Sequence, residues 1–330
     1  MKNLNPRLVQ LLAALAAILA AAVLIVLGLK YRAARNLPDN ASGLSGAAGN
    51  QTAYSAISYW NGNTVQSFAV NESGIWTWVD DPEFPLDPTD ITALAETLTT
   101  LTPQQTITEP KTLDHYGLDE PTATLDALAP DGGKLSLTFG KATTDGKSVY
   151  LLMDGAESPV YILDGALLTQ MNRGVYDMMA LPALPALTEE NVQSVVLSAG
   201  ELTTTLTAVR ELDQEGKPLP KTPVFWKIND QDANGKADGV LSELGELCIT
   251  QCVDFKPSAH AVSLCGFDTP AAKILVTYRT ESGTEQTLTL TFGKSTGTGR
   301  YLRINEDSTI YLIATELVDS LLPAAVKGFA

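Results

Sequence analysis

Hydrophobic and polar positions divide the chain into three regimes. From Leu8 to Leu29 every residue except Gln10 is apolar. At about 1.5 Å per residue this 22-residue run spans about 33 Å, enough for a hydrocarbon core of about 30 Å. It ends in Gly28-Leu29-Lys30-Tyr31-Arg32, without the small-residue exit of a signal peptide. The pattern predicts an uncleaved, single-pass transmembrane anchor within residues 1–35. Ala13, Ala17 and Ala21 lie four apart, a spacing that lets a second helix approach closely. Residues 36–52 are rich in Gly, Ala, Ser and Asn and predict a flexible linker. Beyond them the pattern changes to short alternating strands and a few helical stretches.

The third regime repeats itself. Tyr116-Gly117-Leu118-Asp119-Glu120-Pro121 reappears as Cys265-Gly266-Phe267-Asp268-Thr269-Pro270, 149 residues later. Leu137-Thr138-Phe139-Gly140-Lys141 reappears as Leu290-Thr291-Phe292-Gly293-Lys294, 153 later. Val160-Tyr161-Ile162-Leu163 matches Ile310-Tyr311-Leu312-Ile313, and Trp76-Thr77-Trp78 matches Trp226-Lys227-Ile228, both at 150. Four blocks in one order at nearly one offset predict two tandem copies of one unit, 53–187 and 188–330. The period is too long for a solenoid.

Each copy predicts the same elements. Strands are expected over Val65–Val70 and Ile75–Val79 in the first, and over Val192–Leu197, Leu202–Val209 and Val224–Ile228 in the second. A helix follows, starting near Pro88-Thr89-Asp90 with Ile91, Leu94, Leu98 and Leu101 at helical spacing. Leu241, Leu244 and Leu247 mark its counterpart. After the Gly-(Leu/Phe)-Asp turn come alternating strands, with Leu135, Leu137 and Phe139 on one face, and Leu288, Leu290 and Phe292 in the same pattern. Their hairpin partners are Val149–Met153 and Tyr301–Ile304. A last strand leads into a helix, Gly165–Met178 in one copy and Thr315–Leu322 in the other. Short connections favour antiparallel pairing. The fold class is α+β: two tandem copies of a mostly antiparallel β unit with flanking helices, behind one transmembrane helix.

Composition narrows the function. The 330 residues carry a net charge of −16, which argues against a nucleic-acid partner. All but five of the 22 basic residues, and all but one of the 38 acidic ones, lie beyond residue 39. Three cysteines do not make a disulfide-dense scaffold, and two histidines leave little for a His-based site. Basic residues flank the apolar run on both sides, Lys2 and Arg7 against Lys30, Arg32 and Arg35, so positive-inside bias is nearly balanced. The long tail behind a single N-terminal anchor is expected outside the cytoplasm.

The Gly-Leu-Asp-x-Pro turn, the Thr-Phe-Gly-Lys strand end and the Val-Tyr-x-(Ile/Leu) strand, behind one N-terminal span, resemble the bacterial domain-of-unknown-function family 4340. The resemblance covers most of residues 53–326, as two copies. It implies a cell-membrane protein with no defined catalytic residues. It also implies association with ABC-type export systems of the gliding-motility kind, beside a permease and a related extracytoplasmic component.

Candidate chemistry is sparse. Gly117, Asp119, Pro121 and Gly140, with Gly266, Asp268, Pro270 and Gly293, read as structural: glycine for positive φ, Asp bonding nearby backbone, proline opening the next strand. Lys141 and Lys294 lack a phosphate-loop context. Asp230, Asp232, Asn234 and Asp238 fit D-x-D-x-N-G-x-x-D, the front of a calcium loop, but position 12 is Leu241 rather than Glu. Otherwise this stretch is a polar strand-to-helix loop capped by Asp238. Cys248, Cys252, His260 and Cys265 have no common zinc spacing, and burial of the thiols is favoured. His115 and His260 have no nucleophile motif beside them. Trp60, Trp76, Trp78 and Trp226 suit a sugar face or, at repeat-matched positions, a core. No catalytic set emerges, and calcium is the one cofactor in view. The expectation is a non-catalytic, membrane-anchored accessory protein that docks on a membrane complex. The alternative is a surface module binding calcium, glycan or peptide.

Overall fold

The structure is a computed structural model that describes residues 54–211, 213–214, 223–228 and 231–314. The apolar run with Ala13, Ala17 and Ala21, the linker and the expected helix Thr315–Leu322 lie outside the described residues. Among the described residues no helix is long and apolar enough to cross a membrane. The chain divides into two compact units, the first ending at Ala180 and the second starting at Leu181.

The first unit runs β1 (Ala56–Trp60), β2 (Val65–Val70), β3 (Trp76–Trp78), α1 (Thr89–Thr99) and β4 (Gln105–Ile107). A 3-10 turn (Leu113–Tyr116) leads to β5 (Ala123–Leu128), β6 (Lys134–Ala142), β7 (Ser148–Met153) and β8 (Val160–Asp164). Helix α2 (Ala166–Met171) and a second 3-10 turn (Val175–Met178) close it. The second unit runs β9 (Val192–Ala199), β10 (Leu202–Val209), β11 (Phe225–Ile228), β12 (Gln231–Asp232), α3 (Asn234–Glu246) and β13 (Ile249–Asp254). It continues with α4 (Ala259–Leu264), β14 (Ala272–Arg279), β15 (Glu285–Ser295), β16 (Gly299–Ile304) and β17 (Ile310–Ala314).

Strand order is β3-β2-β1-β5-β6-β7-β8-β4 in one sheet and β12-β11-β10-β9-β14-β15-β16-β17-β13 in the other. The two orders coincide position by position once the extra edge strand β12 is set aside. All the strand pairs among the described residues are antiparallel. The repeat seen in four sequence blocks is therefore a repeat of topology. In each unit the strand before the turn motif (β4 or β13) crosses to the far edge beside the last strand.

Alternation puts one side of each sheet into a core. In β5, Ala123, Leu125 and Ala127 are buried while Thr124, Asp126 and Leu128 are half-buried. The first core joins Ile57, Phe68, Leu125, Phe139 and Leu151 to Ile91, Leu94 and Leu98 of α1 and to Leu167 and Met171 of α2. In the second unit, Val195, Leu197, Trp226, Ile274, Leu290 and Phe292 are buried, and α3 lies against β11. A smaller cluster forms on the opposite side of each sheet near the turn motif. It holds Tyr116, Leu118, Leu152 and Val160 in the first unit, and Cys265, Phe267 and Ile310 in the second.

Several expectations are corrected. The helix expected over Gly165–Met178 is broken after Met171. Carbonyls at and just past its end accept from outside the helix: Asn61 Nδ2 donates to Met171 O at 3.2 Å, and Gln66 Nε2 to Arg173 O at 2.9 Å. The Asp177 carboxylate then accepts from Gly174 N at 3.1 Å and starts the 3-10 turn. Asp238 does not cap the second helix, because α3 opens at Asn234 with Ala233 as its cap residue. The buried stripe Ala233, Ala237, Val240, Leu241 and Leu244 keeps helical spacing one turn earlier than the leucines alone. Strands β1, β4 and β13 were not expected. In β1, small Ala56 and Ser58 are buried along with Ile57 and Tyr59, so alternation is masked. In β4, Gln105 and Thr106 are exposed edge residues.

Candidate functional site

The recurring motifs meet each other. The first 3-10 turn ends at Gly117 with φ +67°, and α4 is followed by Gly266 at φ +85°. This left-handed turn lets Leu118 N donate to Leu113 O at 3.0 Å and Phe267 N to Val262 O at 3.2 Å. Leu118 and Phe267 thereby enter the small clusters. The glycine of the other motif lies directly against this turn. A methyl on Gly140 would run into the Tyr116 carbonyl oxygen, and one on Gly293 into the Cys265 carbonyl oxygen. Lys294 N donates to Cys265 O at 2.8 Å. Both glycines sit where the ladder to the next strand slips register, as a β-bulge does. The prolines set up the return: Thr122 N bonds Phe139 O, and Ala271 N bonds Phe292 O, each at 2.8 Å.

Asp119 and Asp268 depart from expectation. Both are exposed, and neither has a hydrogen bond or ion pair among the described residues. A further recurrence was missed. Asp154 and Asn305 both have positive φ, 55° and 53°. Their side-chain oxygens accept from Ser136 N at 3.1 Å and Thr289 N at 2.8 Å. Only the tolerance of Asp and Asn for this conformation hinted at it in sequence.

The cation candidates fall on a strand-to-helix segment of the second unit. Asp230 lies outside the described residues. Asp232 is exposed on β12, while Asn234 and Asp238 belong to α3. The second half of the pattern is therefore helical. Among the described residues no three His, Cys, Asp or Glu side chains converge as a metal set. The expected outcome with millimolar calcium is an unchanged melting temperature. An upward shift that Asp232→Ala removes would support the cation reading.

The three cysteines are free, Cys248 exposed and the others buried. Cys252 stands opposite Tyr311 in the β13–β17 ladder, whereas Cys265 packs with Ile310, the neighbour of Tyr311 on the other face. The two buried thiols therefore lie on opposite sides of one sheet. His260 is exposed. Burial, reinforced by Asp254 and Asp307, pushes the Cys252 thiol up to about 12; burial and Asp254 also raise Cys265, against Lys294. Thiolate is the reactive form. A thiol reagent at pH 8 is thus expected to modify Cys248 alone in the folded chain and all three after denaturation, as intact mass would show. Fast labelling of Cys252 in the folded chain would contradict this placement.

Trp76 and Trp226 are buried at matched strand positions, as a core role requires. Trp60 and Trp78 are half-buried. His115 is exposed and meets the Tyr116 ring edge-on at 4.9 Å.

One surface of the first unit does gather chemistry. The segment after β3 folds back so that Asp87 N bonds Met178 O at 2.7 Å and Ala180 N bonds Pro85 O at 2.8 Å. Rings from both segments stack into a ladder: Trp78 to Phe84 at 5.4 Å, edge-on, and Phe84 to Tyr176 at 5.8 Å, stacked. Around it stand Asp80, Asp81, Glu83, Asp87 and Asp177, all exposed except half-buried Asp81. Arg173 pairs with Asp90 at 2.7 Å. Thr89 hydrogen bonds hold the Asp87 carboxyl below the usual carboxylate range. Trp76, 3% exposed, and Trp78 each have an indole Nε1 without an acceptor among the described residues. Phe84, the middle ring, is 3% exposed, so the three rings are a packing cluster with half-buried Trp78 and Tyr176 on either side. Sequence showed the acidic run Asp80–Glu83 but not the tyrosine brought to it from 96 residues away.

Comparison with known proteins gives one match. A family model described as Domain of unknown function (DUF4340) matches residues 76–270 and again residues 226–327. Its two matches begin at Trp76 and Trp226, the same strand position in the two units. No curated protein and no solved structure matches the chain.

Proposed function

The chain belongs to the family described as Domain of unknown function (DUF4340), and from that premise we propose that it is a membrane-anchored, extracytoplasmic accessory protein of an ABC-type transport system. In this reading the protein is non-catalytic. Its two units are docking modules, and the apolar run Leu8–Leu29 holds them at the membrane. The observation that carries the reading is the duplicated eight-strand scaffold behind a run long enough to span a bilayer. The recurring glycines build that scaffold, which leaves surfaces for contact. One is the pair Val209 and Phe225, opposite each other in the β10–β11 ladder and 38% and 50% exposed.

The test is a gentle-detergent pull-down of the full-length protein from its native membrane, with mass spectrometry. It is repeated with the span replaced by an unrelated one and with Phe225→Ser. A permease and an ATPase are expected with the native chain and should be depleted in at least one variant. Recovery of the native chain alone from crosslinked membranes would overturn the reading.

A further inference from the structure

We infer that the second unit carries a binding site for a phosphate group, built by Lys273, Thr291 and Arg303 on the sheet face that bears the small Phe267 cluster. In the ladders Thr203 stands opposite Ser198, Ser198 opposite Lys273, Lys273 opposite Thr291, and Thr291 opposite Arg303. Opposed residues of antiparallel strands point to one face. These five side chains therefore form a row across β10, β9, β14, β15 and β16, which are neighbours in the sheet. Each can donate a hydrogen bond and none is a carboxylate. Lys273 is exposed, while Thr291 and Arg303 are half-buried. Among the described residues neither cation has an ion-pair partner, although the chain carries a net charge of −16.

The first unit holds an internal comparison. Its matching row is Val65, Trp60, Thr124, Thr138 and Leu152. There Leu152 is buried in the small cluster with Leu118 of the turn motif. At the same place in the second unit the Arg303 guanidinium lies 5.7 Å from the centre of the Phe267 ring. Thr124 becomes Lys273, and bulky Trp60 becomes Ser198. The scaffold is complete with the apolar version of the row, so folding does not require the cations. Threonine on an open strand face is ordinary β preference. An arginine at the position of a buried leucine is not, and it comes with a lysine two strands away.

Arg303 is held in place for this task. Its Nε and Nη2 both donate to Asp307 O, at 3.2 and 3.1 Å, and Phe267 bounds it on one side. Its Nη1 has no acceptor among the described residues. The Asp307 carboxylate is engaged elsewhere, accepting from Thr309 N and Oγ1 and from the Tyr311 hydroxyl. The Lys273 and Arg303 backbones are two strand spacings apart, about 10 Å, a span that two long side chains close around one anion above the Thr291 hydroxyl. A phosphate has enough acceptor oxygens for an ammonium, a guanidinium and a hydroxyl together, whereas a carboxylate has two oxygens. The ligand class is a phosphate ester, and the phosphate is the recognised group whether it is free or part of a lipid headgroup.

The test uses the full-length protein in non-ionic detergent micelles, with glycerol phosphate as the probe. Phosphorus NMR line broadening is followed at constant ionic strength, made up with chloride. Saturable broadening is expected with the native chain. Lys273→Thr with Arg303→Leu installs the residues that the first unit holds at these positions, and should weaken binding at least about tenfold, since hydrogen bonds to charged groups are the strong ones. Lys273→Thr alone, at an exposed position, should already weaken it. Lys111→Gln with Lys147→Gln removes the same charge from exposed positions of the first unit and should leave binding unchanged. Phosphatidylglycerol added to the micelles identifies the source: displacement of the probe supports a lipid headgroup, and retention supports a soluble ester. Absence of saturable broadening with the native chain, an arm that needs no variant to fold, would overturn the proposal. So would equal binding by the native chain and the Lys273/Arg303 variant. The inference does not rest on the transport reading, and the pull-down result is independent of either outcome.

Discussion

Gly140→Ala is expected to destabilise the first unit by at least about 3 kcal/mol, and Gly293→Ala the second by as much. Overpacking a core usually costs about 1–3 kcal/mol because flexible side chains give way. Here the added methyl meets a backbone carbonyl, that of Tyr116 or Cys265, and backbone gives way only by moving a whole segment. The segment is tied down on both sides. Gly117 and Gly266 hold it in a left-handed turn, and Leu118 and Phe267 plug it into the sheet. Relief would mean withdrawing the plug as well. A control comes from Gly239, inside α3, where an added Cβ meets nothing within 4 Å. Gly239→Ala is expected to stabilise by about 0.5–1 kcal/mol through helix propensity. With two units in the chain, one unfolding free energy is not well defined. The appropriate measurement is hydrogen exchange at β5–β7 or β14–β16, unit by unit. Protection within about 1 kcal/mol of the unmodified chain in both Gly→Ala variants would show that the motif contact is not a constraint.

Phe139→Ala and Phe292→Ala should have effects of similar size, about 3–5 kcal/mol each. Both rings are fully buried. Phe139 sits between Ala123 and Leu151 in the neighbouring strands, and Phe292 between Ala272 and Leu302. The large ring beside a small alanine is retained in both units, so the pair behaves as a volume match. Removing the ring leaves a cavity that the small neighbour does not fill, and rigid antiparallel strands collapse little. The loss should appear as faster exchange across the sheet of the altered unit. Thr138→Ala, a half-buried position on the opposite face of the same strand, should change exchange by less than about 1 kcal/mol. Equal losses at Phe139 and Thr138 would mean that the strand, rather than the ring, is what matters.

The duplication, the α+β class and most strands were legible in the sequence because each rests on local pattern. Alternation at period two revealed β6 and β15. Helical spacing revealed α1. Four short blocks at one offset revealed the repeat, and the two topologies coincide. Where local pattern was ambiguous, the reading faltered. Asn-Gly suggested a loop at the start of α3, but burial of Ala233 and Ala237 extends the helix through it. Small residues in β1 hid its alternation, and edge strands β4 and β13 carried too few apolar side chains to announce themselves.

Tertiary structure alone decided what depends on separation along the chain. Gly117 and Gly140 are 23 residues apart, and Gly266 and Gly293 are 27 apart. Each motif could be recognised as recurring, yet nothing local says that the two touch. Cys252 and Cys265 both read as buried thiols, but only the structure places them on opposite faces, because β13 pairs with β17 at the sheet edge. The acidic run Asp80–Glu83 was visible, but the ring packing beside it required Tyr176 from the far end of the unit. The physical reason is the same in each case. Periodicity encodes which side of an element faces inward, whereas contact between distant elements follows from how the sheet closes and which backbone atoms can approach without a side chain between them.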